Sequence, residues 1–181
     1  MGSLKMNGEL LEKAIKVLNI QGVFLRKATI RCKDDFIPPF FGTEVTLSPQ
    51  HRGAPTGDFA ILDSISEDQV HETRTVVFNF TAGTRLVDKN AAQEGGSAEL
   101  EDSTVFIEIT AEFCAHYNIP ADLNIEDHEA AFEEFGRRNV GYHVWPFWRE
   151  YVQSVCSRMG IPPIPIPFFL VGSSKAAPDK S

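Results

Sequence analysis

Cys114 and His116 stand two apart in "FCAHY", the separation that puts two side chains on one face of a strand, and both are residue types that bind metals. Two ligands are too few. A structural zinc site wants four in tight pairs, and His51, His71, His128 and His143 are scattered over other segments. A Cys–His nucleophile would need Cys32, Cys114 or Cys156 held against a histidine that a third group orients, and no local segment supplies that. Cys156 falls mid-way along an apolar helical pattern, where packing explains it. There is neither a phosphate-binding glycine loop nor a dinucleotide fingerprint. The carboxylates of "EDHE" (126–129) and "EE" (133–134) read as a solvated helix face, with docking of a basic partner as the functional alternative. The expectation is a protein without catalytic residues, metal or cofactor, and not an enzyme.

The elements around these residues belong to one ordinary globular domain. Of 181 residues 43% are hydrophobic, enough for a sizeable core, and 25 acidic against 17 basic residues give a net charge of −8. That balance argues against a dedicated nucleic-acid surface. Fourteen phenylalanines and two tryptophans against three tyrosines make the aromatic set apolar, so the core is Phe-rich or some rings face a partner. Three widely spaced cysteines and no signal-like N-terminal segment suggest a reducing cytoplasm, and no run approaches a membrane span of ~20 apolar residues.

Leu10, Leu11, Ile15 and Leu18 predict an amphipathic helix over 4–18, an N-terminal extension (1–20) to a domain of residues 21–170. A strand over 23–32 ends in "DDFIPPFFG" (34–42), and a second, 43–48, precedes the polar turn region 49–58. Residues 72–87 set Val76, Phe78 and Phe80 on one face and Thr75, Val77, Asn79 and Thr81 on the other, the period of a half-buried antiparallel strand. After a loop (88–102), residues 103–119 alternate over their whole length, with Val105, Ile107, Ile109, Ala111 and Phe113 inward and Glu108, Thr110 and Glu112 outward. Two helices follow: 124–139, capped by Asn124, and 143–160, with Pro146 in its first turn and Val144, Trp148, Tyr151, Val152, Val155 and Met159 on one stripe. Gly160 stops the second. Residues 171–181 read as a disordered tail, and strands followed by helices suggest an α+β fold.

Two apolar, proline-bearing segments remain. "GIPPIPIPFF" (160–169) holds four prolines in ten residues and can be neither helix nor central strand. Phe36, Ile37, Phe40 and Phe41 in one segment, with Ile164, Ile166, Phe168 and Phe169 in the other, suggest a groove that binds apolar peptide segments by area burial, at ~25 cal/mol per Å², with little selectivity. An adjacent strand edge would add backbone hydrogen bonds to an extended client.

Residues 135–167, "FGRRNVGYHVWPFWREYVQSVCSRMGIPPIPIP", resemble the SecB-type protein-export chaperones. The pattern is a short helix, an aromatic-Pro-aromatic start to a long helix with an Arg-Glu pair, and an Arg-x-Gly segment running into spaced prolines. Here it is carried by Trp145, Pro146, Phe147, Arg149, Glu150, Arg158, Gly160, Pro162, Pro163 and Pro167, with Ile161 where the family often has an aromatic. The resemblance extends over about 23–169. It implies a four-stranded antiparallel sheet with flanking helices, dimers with eight-stranded sheets, and a homotetramer joined through the long helices, with Val144, Trp148, Val152 and Val155 serving packing and assembly. It also implies unfolded polypeptide clients held without ATP and handed to a SecA-type motor, for which Glu108 and Glu112 on the outer sheet face would be the docking residues.

The chain departs from the family in its N-terminal helix, its longer 49–70 connection, and an end, "FLVGSSKAAPDKS", that lacks export SecB's C-terminal helix. A SecB-like chaperone dedicated to one client, such as an antitoxin, is the alternative. From other classes come a small-molecule carrier with an apolar pocket among Phe78, Phe80 and Phe113, and a purely structural assembly module.

Overall fold

The computed structural model describes residues 7–37, 46–65, 72–89 and 104–169. Four long strands, β1 (Asn19–Cys32), β2 (Leu47–Ile65), β3 (Glu72–Asp88) and β4 (Val105–Ile119), form one antiparallel sheet in the order β1-β4-β3-β2. Among the described residues three helices, α1 (Gly8–Ile15), α2 (Glu129–Arg138) and α3 (Val140–Met159), complete the α+β architecture.

β4 is buried and half-buried at alternate residues from end to end, because it is central, with one face under helices and the other on the solvent side. Its inward residues Ile107, Ile109, Ala111, Phe113 and Tyr117 join Val76, Phe78 and Phe80 of β3 beneath Phe132 and Phe135 of α2 and Val144, Trp148, Val152 and Val155 of α3. Phe113 meets Trp148 edge-on at 6.5 Å, and Phe78 meets Tyr117 at 5.5 Å and Phe135 at 5.7 Å.

The polar turn expected at 49–58 is strand. β2 pairs with β3 from Leu47 opposite Asp88 to Ile65 opposite Glu72, with one irregularity between Pro55 and Phe59. It is an edge strand, so half of its amides need no partner and Pro49 and Pro55 are accommodated. Gly57 lies in the irregularity at φ 83°, and a Cβ there would press on Arg137 and on the Glu133 carbonyl of α2.

The helix ends also differ from expectation. Asn124 does not cap α2; its side chain accepts from the Glu126 amide at 3.1 Å and closes a turn before the helix begins at Glu129. α3 begins at Val140, so Pro146 is inside it, on the exposed face where the lost backbone bond is open to water. It ends as expected. Gly160 at φ 66° lets its own amide reach the Ser157 carbonyl and the Ile161 amide reach that of Cys156, the paired bonds of a Schellman cap.

The N-terminal helix is shorter than 4–18. Asn7 caps α1 through a bond from the Leu10 amide, its own amide donates to Glu134 of α2, and Ala14 is fully buried.

Candidate client-binding surface

The chain leaving α3 runs over the inner face of the sheet as an irregular strip, 161–169, with Ile161, Ile164 and Ile166 buried and the prolines between them exposed. Having few amides, it is held by its carbonyls. Gln153 of α3 donates to Ile164 at 2.9 Å, Trp145 Nε1 to Pro167 at 2.6 Å, and His51 of β2 is bonded to the Pro165 backbone. A carbonyl only accepts, so His51 donates to it; the Thr84 hydroxyl, which donates to the Gln50 carbonyl at 3.2 Å, lies 2.9 Å from His51 Nδ1. Burial lowers the His51 pKa, and the bond to Pro165 opposes that shift.

Close approach depends on two glycines. A Cβ at Gly53 would meet Trp145 and Phe80 at 3.2 and 3.3 Å, and one at Gly141 would overlap the Phe169 ring. Phe169 therefore sits half-buried between Phe80 and Trp145, at 6.1 and 5.3 Å. Phe168 faces outward, 78% exposed, with the Arg149 guanidinium 4.9 Å from its ring centre.

The eight apolar residues singled out from sequence thus divide. Phe168 and Ile37 (65% exposed) offer surface, and Phe169 offers part of a ring. Ile164, Ile166 and Phe36 are turned inward, Phe36 lying edge-on to Phe106 at 5.5 Å. Phe40 and Phe41 lie outside the described residues.

The assembly role expected of Val144, Trp148, Val152 and Val155 needs correction. All four are buried against the chain's own core, so no second copy can reach them. Open apolar surface on the helix side of the sheet includes β1, where Ile20, Leu25 and Ile30, which pair with inward residues of β4, are 42%, 48% and 45% exposed. Sequence reasoning missed this because alternation marks which residues share a face, not whether a helix covers it.

Glu108 and Glu112 do point outward, yet they do not make the outer face acidic. Arg31 and Arg52 flank Glu108 at 3.8 and 3.9 Å, and Lys27 stands 4.0 Å from Glu112. Cys114 and His116 share that face, where Cys114 Sγ donates to Asn79 and His116 packs on Phe24. No group of three His, Cys, Asp or Glu that could hold a metal occurs among the described residues. Phe78, Phe80 and Phe113, proposed walls of a carrier pocket, pack on one another's neighbours and fill the interior.

Under α3, the Tyr117 hydroxyl lies 2.6 Å from His143 Nδ1. Burial raises the tyrosine pKa and lowers that of the histidine, so a neutral phenol donates to a neutral imidazole. No helix of the described residues is long and apolar enough to cross a membrane.

This sheet, helix pair and strip form a SecB-like fold. Among solved structures the chain is similar to the SecB-like chaperone Rv1957 of Mycobacterium tuberculosis, solved in complex with a ChAD peptide from the Rv1956 HigA1 antitoxin. The TM-score is 0.61 over 89% of this chain and 97% of that one, at 12% identity. No family model matches the chain, and no curated protein matches it in sequence.

Proposed function

We propose that this chain is a non-enzymatic, ATP-independent chaperone that holds non-native polypeptides on the surface around the proline strip. The observation that carries the reading is Phe168, held 78% exposed on a segment whose carbonyls are pinned by three separate side chains. A ring presented on a fixed backbone costs little ordering entropy when it is covered, and it accepts any apolar side chain. Ile37 and the exposed edge of Phe169 extend the surface, and Phe40 and Phe41 are assigned to it from their place in the sequence.

Two copies joined along β1 would form an eight-stranded sheet and cover Ile20, Leu25 and Ile30, and two such dimers would give the tetramer. The exposed thiol of Cys32 is in keeping with a reducing cytoplasm. A role in export through a SecA-type motor is not part of the reading, since Glu108 and Glu112 already have cations beside them. The second reading, one dedicated client such as an antitoxin, is favoured by the peptide carried by the similar chaperone.

The test is titration with a permanently unfolded polypeptide and with its native form, without nucleotide, followed by Trp145 fluorescence beside Phe169. Saturable binding of the unfolded form alone is expected. Absence of binding at micromolar concentration would leave the dedicated-client reading.

A further inference from the structure

Trp145, Arg149 and Gln153 form one row along α3, at intervals of four residues, and all three turn to the proline strip. The outer two spend donors on it, Trp145 on the Pro167 carbonyl and Gln153 on that of Ile164. Arg149 does not. Its guanidinium lies over the Phe168 ring, 4.9 Å from the ring centre, and makes no hydrogen bond or ion pair with any described residue. On its own helix face no acid adjoins it: the residues three and four away are Trp145, Pro146, Val152 and Gln153, and Glu150, next in sequence, projects about 100° around the helix.

An exposed arginine normally loses the freedom of a long side chain when it binds. Arg149 is already stacked on a ring and flanked by two side chains bonded to the strip, so its planar fork is held ready for a carboxylate. The strip around it offers little else to a polar group. Its prolines are exposed and have no N–H, and the carbonyls of Ile164, Pro165 and Pro167 are already bonded. An exposed aromatic ring, an apolar rim and one cation with unspent donors therefore stand side by side.

We propose that this site selects extended apolar client segments in which an aspartate or glutamate stands two residues from an apolar side chain. This selectivity rests on the proposed client surface around the strip: the Phe168 ring takes any apolar side chain, and Arg149 decides what stands beside it. In an extended chain, side chains two residues apart share a face and lie about 6.7 Å apart. The N–H edge of the guanidinium is at a comparable distance from the middle of the ring, beyond the 4.9 Å of its central carbon. The apolar group on Phe168 also screens the new ion pair from water, which strengthens it. A lysine at the same place meets Arg149 as a like charge. A chain has one terminal carboxylate and many internal acids, so a surface that grips internal segments reads the side chain.

The test uses the full chain and three twelve-residue peptides, labelled at the N-terminus and amidated at the C-terminus, that differ only in carrying Phe-x-Glu, Phe-x-Gln or Phe-x-Lys. Fluorescence anisotropy at low ionic strength should show the glutamate peptide bound about fivefold more tightly than the glutamine peptide, the lysine peptide most weakly, and the differences shrinking as salt is raised. Arg149→Gln, an exposed substitution that leaves the core intact, should bind glutamate and glutamine peptides alike, at the affinity the parent chain has for the glutamine peptide. The proposal is overturned if the parent chain binds the two equally, if Arg149→Gln keeps the preference, or if the glutamine peptide with a free C-terminus binds as tightly as the amidated glutamate peptide. Failure of every peptide to bind overturns it too, and a parallel titration with the unfolded polypeptide then shows whether the client surface falls with it or stands without this selectivity.

Discussion

Trp145 Nε1 donates to the Pro167 carbonyl at 2.6 Å across 22 residues, tying the first half of α3 to the far end of the strip that leaves it. The same indole packs on Phe169 and, edge-on, on Phe80. Trp145→Phe keeps most of the ring and removes the donor. It should cost about 1 kcal/mol of stability, and proteolytic cleavage after Phe168 should accelerate. Unchanged cleavage there would mean that the bond does not hold the strip in place.

Phe168 and Ile164 are close in sequence and opposite in exposure, so their substitutions separate binding from folding. Phe168→Ser should change stability by no more than about 0.5 kcal/mol and weaken binding of an unfolded polypeptide about tenfold. Ile164→Ala should cost about 2–5 kcal/mol through the cavity it leaves. Urea denaturation beside a binding titration reads both. A Phe168 variant that binds clients normally would remove the ring from the proposed surface.

The inward and outward order along the strip was not legible in the sequence, whereas its inability to form a helix was. Prolines exclude the helix locally, but the direction of Ile164 and Phe168 is decided by donors from three distant places: His51 on β2, and Trp145 and Gln153 on α3. β4 was readable residue by residue because one wet and one covered face impose a period of two. β2 was not, because an edge strand tolerates Pro49, Gly53, Pro55 and Gly57, the composition of a turn. The Val144 stripe announced burial without naming what buries it, and its actual partner is the sheet of the same chain.

His51 and His143 both titrate below the ordinary histidine value, and burial is the main cause for each. In the unfolded chain they take up protons near pH 6.5, in the folded chain only lower. Between those values the unfolded state binds more protons, so stability rises with pH. The contribution is complete above about pH 6.5 and is lost as pH falls through the folded values. A His51→Gln/His143→Gln variant keeps polar partners for Pro165 and Tyr117 without the titration. Its urea midpoint should fall less between about pH 7.5 and 5.5 than that of the parent chain, and parallel curves would contradict the assignment.

Gly57 meets two constraints at once, a left-handed backbone and the close passage of α2, where a Cβ would lie 3.2 Å from the Glu133 carbonyl. Gly57→Ala should therefore destabilise by about 1–3 kcal/mol, and more than Gly8→Ala, where a Cβ meets nothing within 4 Å. Comparing the two thermal midpoints tests this. Equal midpoints would show that β2 can shift its irregularity without cost.

Ile30 offers the test of the proposed assembly. Its side chain points to the helix side of the sheet yet is 45% exposed, because β1 is an edge strand and α3 packs mainly over β3 and β4. If two copies join along β1, Ile30 and Leu25 are covered at that junction, and a lysine at either position would place a desolvated charge there. Ile30→Lys should convert the assembly to monomers in light scattering while leaving the circular dichroism unchanged, since the residue lies outside the monomer's core. Val144→Lys should instead unfold the chain, because Val144 has no exposed surface. An Ile30→Lys chain that remains oligomeric would place the junction elsewhere, with the exposed Phe147 flank of α3 as the next surface to change.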